Sequence, residues 1–219
     1  MKLFLISADI GIPQETTEDF LKFLKKNPKD TSVCFIPTAA NHPTIDDWFV
    51  KRDRDRLEEM GFKMSDVDLK KENEISLSKK LDDFDMVFVT GGNTFYLLEQ
   101  IRNSGFDKAI RKFLNKGGIY VGASAGSLIA GLNIEPAGWR HPERNTSNLK
   151  DLTGMKLVPF VISAHTDDKN IDLIRKCASK VSYPVVALTD KQAILVENDK
   201  RRIVGVGEKH IFNMSKDLL

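Results

Sequence analysis

An apolar run, Ile119-Tyr120-Val121, leads directly into Gly122-Ala123-Ser124-Ala125-Gly126, and small and apolar residues at helical spacing continue to Leu128. Few backbone paths accommodate that order. The apolar run reads as a buried strand, and the segment from Ala125 onward reads as a helix. A sharp turn has to join them, and glycine on both sides of Ser124 lets the chain turn without a Cβ clash. A Gly-x-Ser-x-Gly turn between strand and helix presents the serine hydroxyl at its tip, as a nucleophile elbow does. The Ala125 N–H at the start of the helix is then placed to stabilise an oxyanion.

The rest of the chain alternates in the same sense. Strands are expected over 3–7, 32–37, 62–69, 86–90, 157–164 and 185–188, and helices over 17–26, 45–60, 75–81, 94–103, 106–116 and 171–180. The segments 193–196 and 202–206 flank a turn and read as a C-terminal hairpin, with 210–212 as a last edge strand. The stretch 134–152, with Pro136, Gly138 and Pro142, reads as irregular. Strands alternating with helices predict an α/β fold, a three-layer α/β/α domain with a mostly parallel central sheet. No repeat, low-complexity segment or linker divides the chain, so a single domain over 1–219 is expected.

Composition narrows the function classes. The 219 residues are 41% hydrophobic, enough for a sizeable core, and acids and bases nearly balance at a net charge of +2. No basic stripe marks a nucleic-acid surface. The run Lys51-Arg52-Asp53-Arg54-Asp55-Arg56 alternates in sign, the pattern of a solvated helix face. Cys34 and Cys177 lack metal-ligand spacing, and no apolar run reaches membrane-spanning length. The expectation is a cytoplasmic protein with no metal, no cofactor, no nucleic acid and no membrane partner; a homodimer stays open.

In an open parallel sheet, sites gather beyond the carboxyl ends of the strands. Four expected strand ends carry reactive or glycine-rich residues: Gly91-Gly92-Asn93, Ser124, His165, and Thr189-Asp190. A serine hydroxyl needs a base to take its proton. Of His42, His141, His165 and His210, only His165 directly follows an apolar strand; His141 is its main rival. Asp190 is the first choice to orient the imidazole, ahead of Asp167, Asp168, Glu135 and Glu143. The Gly92 N–H is the expected second oxyanion donor beside Ala125. Asn93 reads both as a helix N-cap and as a substrate-facing group. Arg140 and Arg144 are candidates to receive a substrate carboxylate.

Val89-Thr90-Gly91-Gly92-Asn93-Thr94, the Gly122–Gly126 elbow, a strand ending in His165 and Leu188-Thr189-Asp190 together resemble peptidase E and cyanophycinase. The resemblance covers most of the chain and implies a class I glutamine amidotransferase-like fold. It also implies a serine peptidase with Ser124 as nucleophile, His165 as base, Asp190 as third member, and the Gly92 and Ala125 amides as oxyanion hole. Small peptides, among them aspartyl peptides, are the implied substrates. The chain departs from peptidase E in two places. An Asp that peptidase E carries after the elbow helix has no clear counterpart, although Glu135 stands nearby. Ile162-Ser163-Ala164 also replaces Asn-Pro before the base. An esterase or amidase on small acyl compounds, or a binding module without turnover, is the alternative.

Overall fold

The computed structural model describes residues 1–8 and 14–214. Its main sheet has seven strands. Five are parallel and run in the order β3 (Lys63–Asp66), β2 (Ser32–Ile36), β4 (Met86–Val89), β5 (Ile119–Ala123) and β1 (Lys2–Ile6). The antiparallel hairpin β8 (Gln192–Glu197) and β9 (Lys200–Gly205) extends the sheet beyond β1.

The apolar runs are unbroken because both faces of this sheet are covered. On β1, Leu3 and Leu5 join one core with residues of α3 (Glu74–Leu81), α4 (Thr94–Ser104) and α5 (Phe106–Asn115). Phe4 and Ile6 join the other, with Phe20, Phe23 and Leu24 of α1 (Gln14–Leu24) and Leu57 of α2 (Trp48–Glu59). The same alternation divides Val87 and Val89 from Met86 and Phe88 on β4. Helix α5 buries Phe106, Ala109, Ile110, Phe113 and Leu114, the i, i+3, i+4, i+7, i+8 stripe of an amphipathic helix.

A second sheet, which the sequence pattern does not separate from the first, has three strands in the order β10 (His210–Phe212), β7 (Val185–Ala187) and β6 (Val161–Ser163). Its Ile162 and Val186 pack into the larger core. The strand expected over 157–164 shrinks to three residues. The backbone N–H groups of Leu157 and Val158 bond Ala130, and the Phe160 carbonyl accepts from Leu132. Pro159 has no N–H to give a ladder. Helix α6 (Ala125–Leu128) is a single turn. The stretch expected to be irregular contains α7 (Glu135–Arg140), with Pro136 in its first turn, where the missing N–H costs nothing. Helix α8 (Ile171–Ala178) follows β6. Among the described residues no helix is long and apolar enough to cross a membrane.

Candidate active site

Ser124 joins β5 to α6 at φ 48° and ψ −108°, a strained conformation for a residue with a Cβ. The surroundings hold it there. Its N–H donates to the Ile6 carbonyl at 3.0 Å. The Ser127 hydroxyl lies 2.8 Å from the Ile6 carbonyl and 2.6 Å from that of Gly122, and the Tyr120 hydroxyl donates to the Gly126 carbonyl at 2.6 Å. The two elbow glycines are required by close approach. A Cβ on Gly122 would sit 2.4 Å from the Gly126 oxygen, and one on Gly126 would sit 2.3 Å from the Val89 oxygen.

His165 follows β6 at φ 55°. Its Nε2 lies 2.9 Å from Ser124 Oγ, and its Nδ1 lies 2.7 Å from Asp190 Oδ1. A carboxylate can only accept, so Nδ1 carries the proton and Nε2 is free to accept from the serine. The hydrogen bond from His165 holds the Asp190 carboxyl below its ordinary range, against the opposing pull of burial. The rival histidine, His141, lies on the same cavity wall but bonds Glu143 at 3.2 Å. Glu135 accepts from the Tyr183 hydroxyl at 2.5 Å, and Asp167 caps the turn before α8 through Lys169 and Asn170.

Gly92 has φ 137°, and a Cβ there would sit 2.3 Å from the Ala39 carbonyl, so only glycine fits. Gly91 and Gly92 line the cavity beside Ser124. Among the described residues, neither the Gly92 nor the Ala125 N–H has an internal acceptor.

The sequence model described as peptidase family S51 matches residues 3–204. The chain belongs to peptidase family S51. It is a serine peptidase. An uncharacterized peptidase of Pasteurella multocida is 30% identical to it over 207 residues, 93% of this chain and 97% of the relative. A Drosophila melanogaster protein named a probable alpha-aspartyl dipeptidase is 26% identical over 203 residues, covering 88% of this chain and 80% of that one. A crystal structure from Listeria monocytogenes titled as a peptidase E protein superposes with a TM-score of 0.79 at 25% identity, over 94% of this chain and 98% of that one.

The cavity of the peptidase measures about 620 Å³, a size suited to a short peptide or other small ligand. Two expected substrate contacts need correction or refinement. Asn93 is fully buried, and its Oδ1 accepts from the Phe95 and Tyr96 N–H groups while its Nδ2 donates to the Arg144 carbonyl. Each polar atom of that side chain has a partner within the fold, the arrangement of an N-cap, and Asn93 is not among the residues that line the cavity. Arg140 does line the cavity, but its Nη1 and Nη2 donate to the carbonyls of His165 and Ala164 at 3.0 and 2.9 Å. Arg144 also lines the cavity, and its guanidinium has no ion-pair partner among the described residues.

Two residues in and around this site escape sequence reasoning. Ser7 directly follows β1, where the strand-end rule could have drawn attention to it; its hydroxyl touches both His165 and Asp190. Asp53 lies inside the alternating charge run that reads as a solvated face. It is 2% exposed, lines the cavity, and its Oδ1 has no hydrogen-bond partner. The Arg52 guanidinium lies 3.9 Å away, outside hydrogen-bond range. Burial pushes the Asp53 carboxyl up to about 7, against the lowering effect of Arg52 and Arg56.

Proposed function

We propose that this S51 peptidase cleaves short peptides by acyl transfer through Ser124, with His165 as general base and Asp190 as its orienting carboxylate. The observation that carries the reading is the unbroken relay of 2.9 and 2.7 Å contacts from Ser124 Oγ through the imidazole to Asp190. Ser124 Oγ attacks the scissile carbonyl carbon while its proton passes to His165 Nε2. Asp190 supports the imidazolium that forms. The carbonyl oxygen becomes an oxyanion held by the Gly92 and Ala125 N–H groups. Collapse breaks the C–N bond, and the leaving amine takes the proton from Nε2. Water, deprotonated by the same nitrogen, then releases the acyl group from Ser124.

Arg144 and Arg140, both on the cavity lining, supply positive charge suited to a substrate carboxylate. Together with the name of the Drosophila relative, this favours peptides carrying an aspartyl residue. The test pairs two measurements on wild type and Ser124→Ala: labelling by a fluorophosphonate probe, and hydrolysis of a panel of Asp-X and neutral X-X dipeptides. Labelling confined to the wild type, with faster turnover of Asp-X, is the expected result. Undiminished labelling of Ser124→Ala overturns the nucleophile assignment, and equal turnover of both peptide classes overturns the specificity.

A further inference from the structure

The nucleophile and its partners sit on different sheets. Ser124 leaves β5 of the main sheet, whereas His165 and Asp190 follow β6 and β7 of the small one. A relay spanning two sheets works only if something fixes one sheet's loops against the other's strand ends. Ser7 occupies that junction. It follows β1, which pairs in parallel with β5 so that Ile6 lies opposite Ala123, and the Ile6 carbonyl accepts the Ser124 N–H. The Ser7 hydroxyl therefore stands next to the nucleophile's own backbone anchor.

From there Ser7 reaches both partners. Its Oγ accepts the His165 N–H at 2.7 Å. Its single hydrogen faces the Leu188 carbonyl at 3.1 Å and Asp190 Oδ1 at 3.2 Å, and the charged carboxylate is the stronger acceptor. Ser7 is fully buried, so no water replaces these bonds when the hydroxyl is lost. Asp190, in contrast, is 59% exposed at its side chain. Among the described residues its side-chain hydrogen bonds run to His165 and Ser7. Without Ser7, only the residue that Asp190 is meant to orient would hold it. His165 is also at a positive φ, a backbone state that persists when the surroundings over-determine it.

We infer that Ser7 is a positioning residue of the catalytic relay, its hydroxyl locking the His165 backbone and the Asp190 carboxylate to the strand beside Ser124. The inference rests on the Ser124–His165–Asp190 reading above. Ser7 does not touch the reacting atoms, so its removal acts on kcat and leaves KM in place.

The experiment measures kcat and KM of the full-length protein with a cleavable dipeptide and with p-nitrophenyl acetate, for Ser7→Ala, His165→Ala and the double variant. Ser7→Ala is expected to lower kcat by about 10- to 100-fold with KM within about threefold. In the His165→Ala background, Ser7→Ala should cost nothing further, because the group it positions is gone. Ser7→Cys keeps a similar volume and a weak donor; it should fall between wild type and Ser7→Ala, and it serves as the readout if Ser7→Ala does not fold. Three results overturn the inference: wild-type kcat in a folded Ser7→Ala or Ser7→Cys, a rise in KM at constant kcat, or an undiminished cost of Ser7→Ala when His165 is absent. If His165→Ala itself keeps wild-type kcat, it is the relay reading that fails, and Ser7 has nothing to position.

Discussion

Asp53 makes stability depend on pH in a direction opposite to that of most paired carboxylates. Its carboxyl, buried against the cavity wall with Oδ1 lacking a hydrogen-bond partner among the described residues, is pushed up by burial from 3.8 to about 7 in the folded protein. Between those two values the folded chain holds a proton that the unfolded chain has released. A proton held only by the folded state stabilises it, and the gain is lost as pH rises through 7. Each pH unit in that window is worth about 1.4 kcal/mol. From pH 5 to pH 8.5 the wild type therefore loses about 3 kcal/mol through this one group. For a chain of this length that corresponds to about 6–12 °C in Tm. Asp53→Asn keeps the shape and removes the titration. Urea unfolding of both proteins at pH 5, 6, 7 and 8.5 isolates the effect, since every other group contributes equally to both curves. The gap between variant and wild type should move in favour of Asn by about 3 kcal/mol across the series. A gap constant to within about 0.5 kcal/mol would show that Asp53 is ionised and solvated at neutral pH, and would refute the burial argument.

Two further outcomes follow from the site. Gly126→Ala places a Cβ 2.3 Å from the Val89 carbonyl, and backbone cannot yield as a side chain tip can. A loss of about 3 kcal/mol is expected in urea unfolding, and a variant as stable as wild type would mean that the elbow is not braced as described. Arg144→Ala should raise KM for Asp-X dipeptides about tenfold and leave p-nitrophenyl acetate turnover unchanged. A parallel fall in ester turnover would assign Arg144 to support of the site and not to substrate recognition.

Much of this was legible because it is local. The strand of 119–123 and the turn at Ser124 follow from residue size and polarity within a few positions, and so does the stripe of α5. The strand-end rule placed Ser124, His165 and Asp190 together even though their strands lie on two sheets, since both sheets direct their carboxyl ends to the same cavity. The same rule failed to separate the sheets. Short buried strands read alike whichever sheet they join, and Pro159 was the local sign that the strand before His165 would be truncated. Asn93 matched the N-cap and the substrate contact equally well in sequence; the N-cap bonds to Phe95 and Tyr96 and the burial of the side chain were visible only in the fold.

Asp53 shows the limit in the other direction. Its neighbours Arg52 and Arg54 mark a charged helix face, but a helix turns about 100° per residue, so Asp53 can be fully buried while Arg52 and Arg54 beside it are half-buried. The sequence by itself determined the α/β alternation, the turn that presents Ser124 and the reactive residues expected at each strand end, because each of these is written in a few contiguous residues. Only the tertiary structure decided which polar groups were already occupied and which were left free. Ser7, Asn93 and Arg140 owe their roles to partners up to 183 positions away, Asp53 owes its role to burial without one, and hydrogen-bond satisfaction in a buried site is a property of the assembled whole.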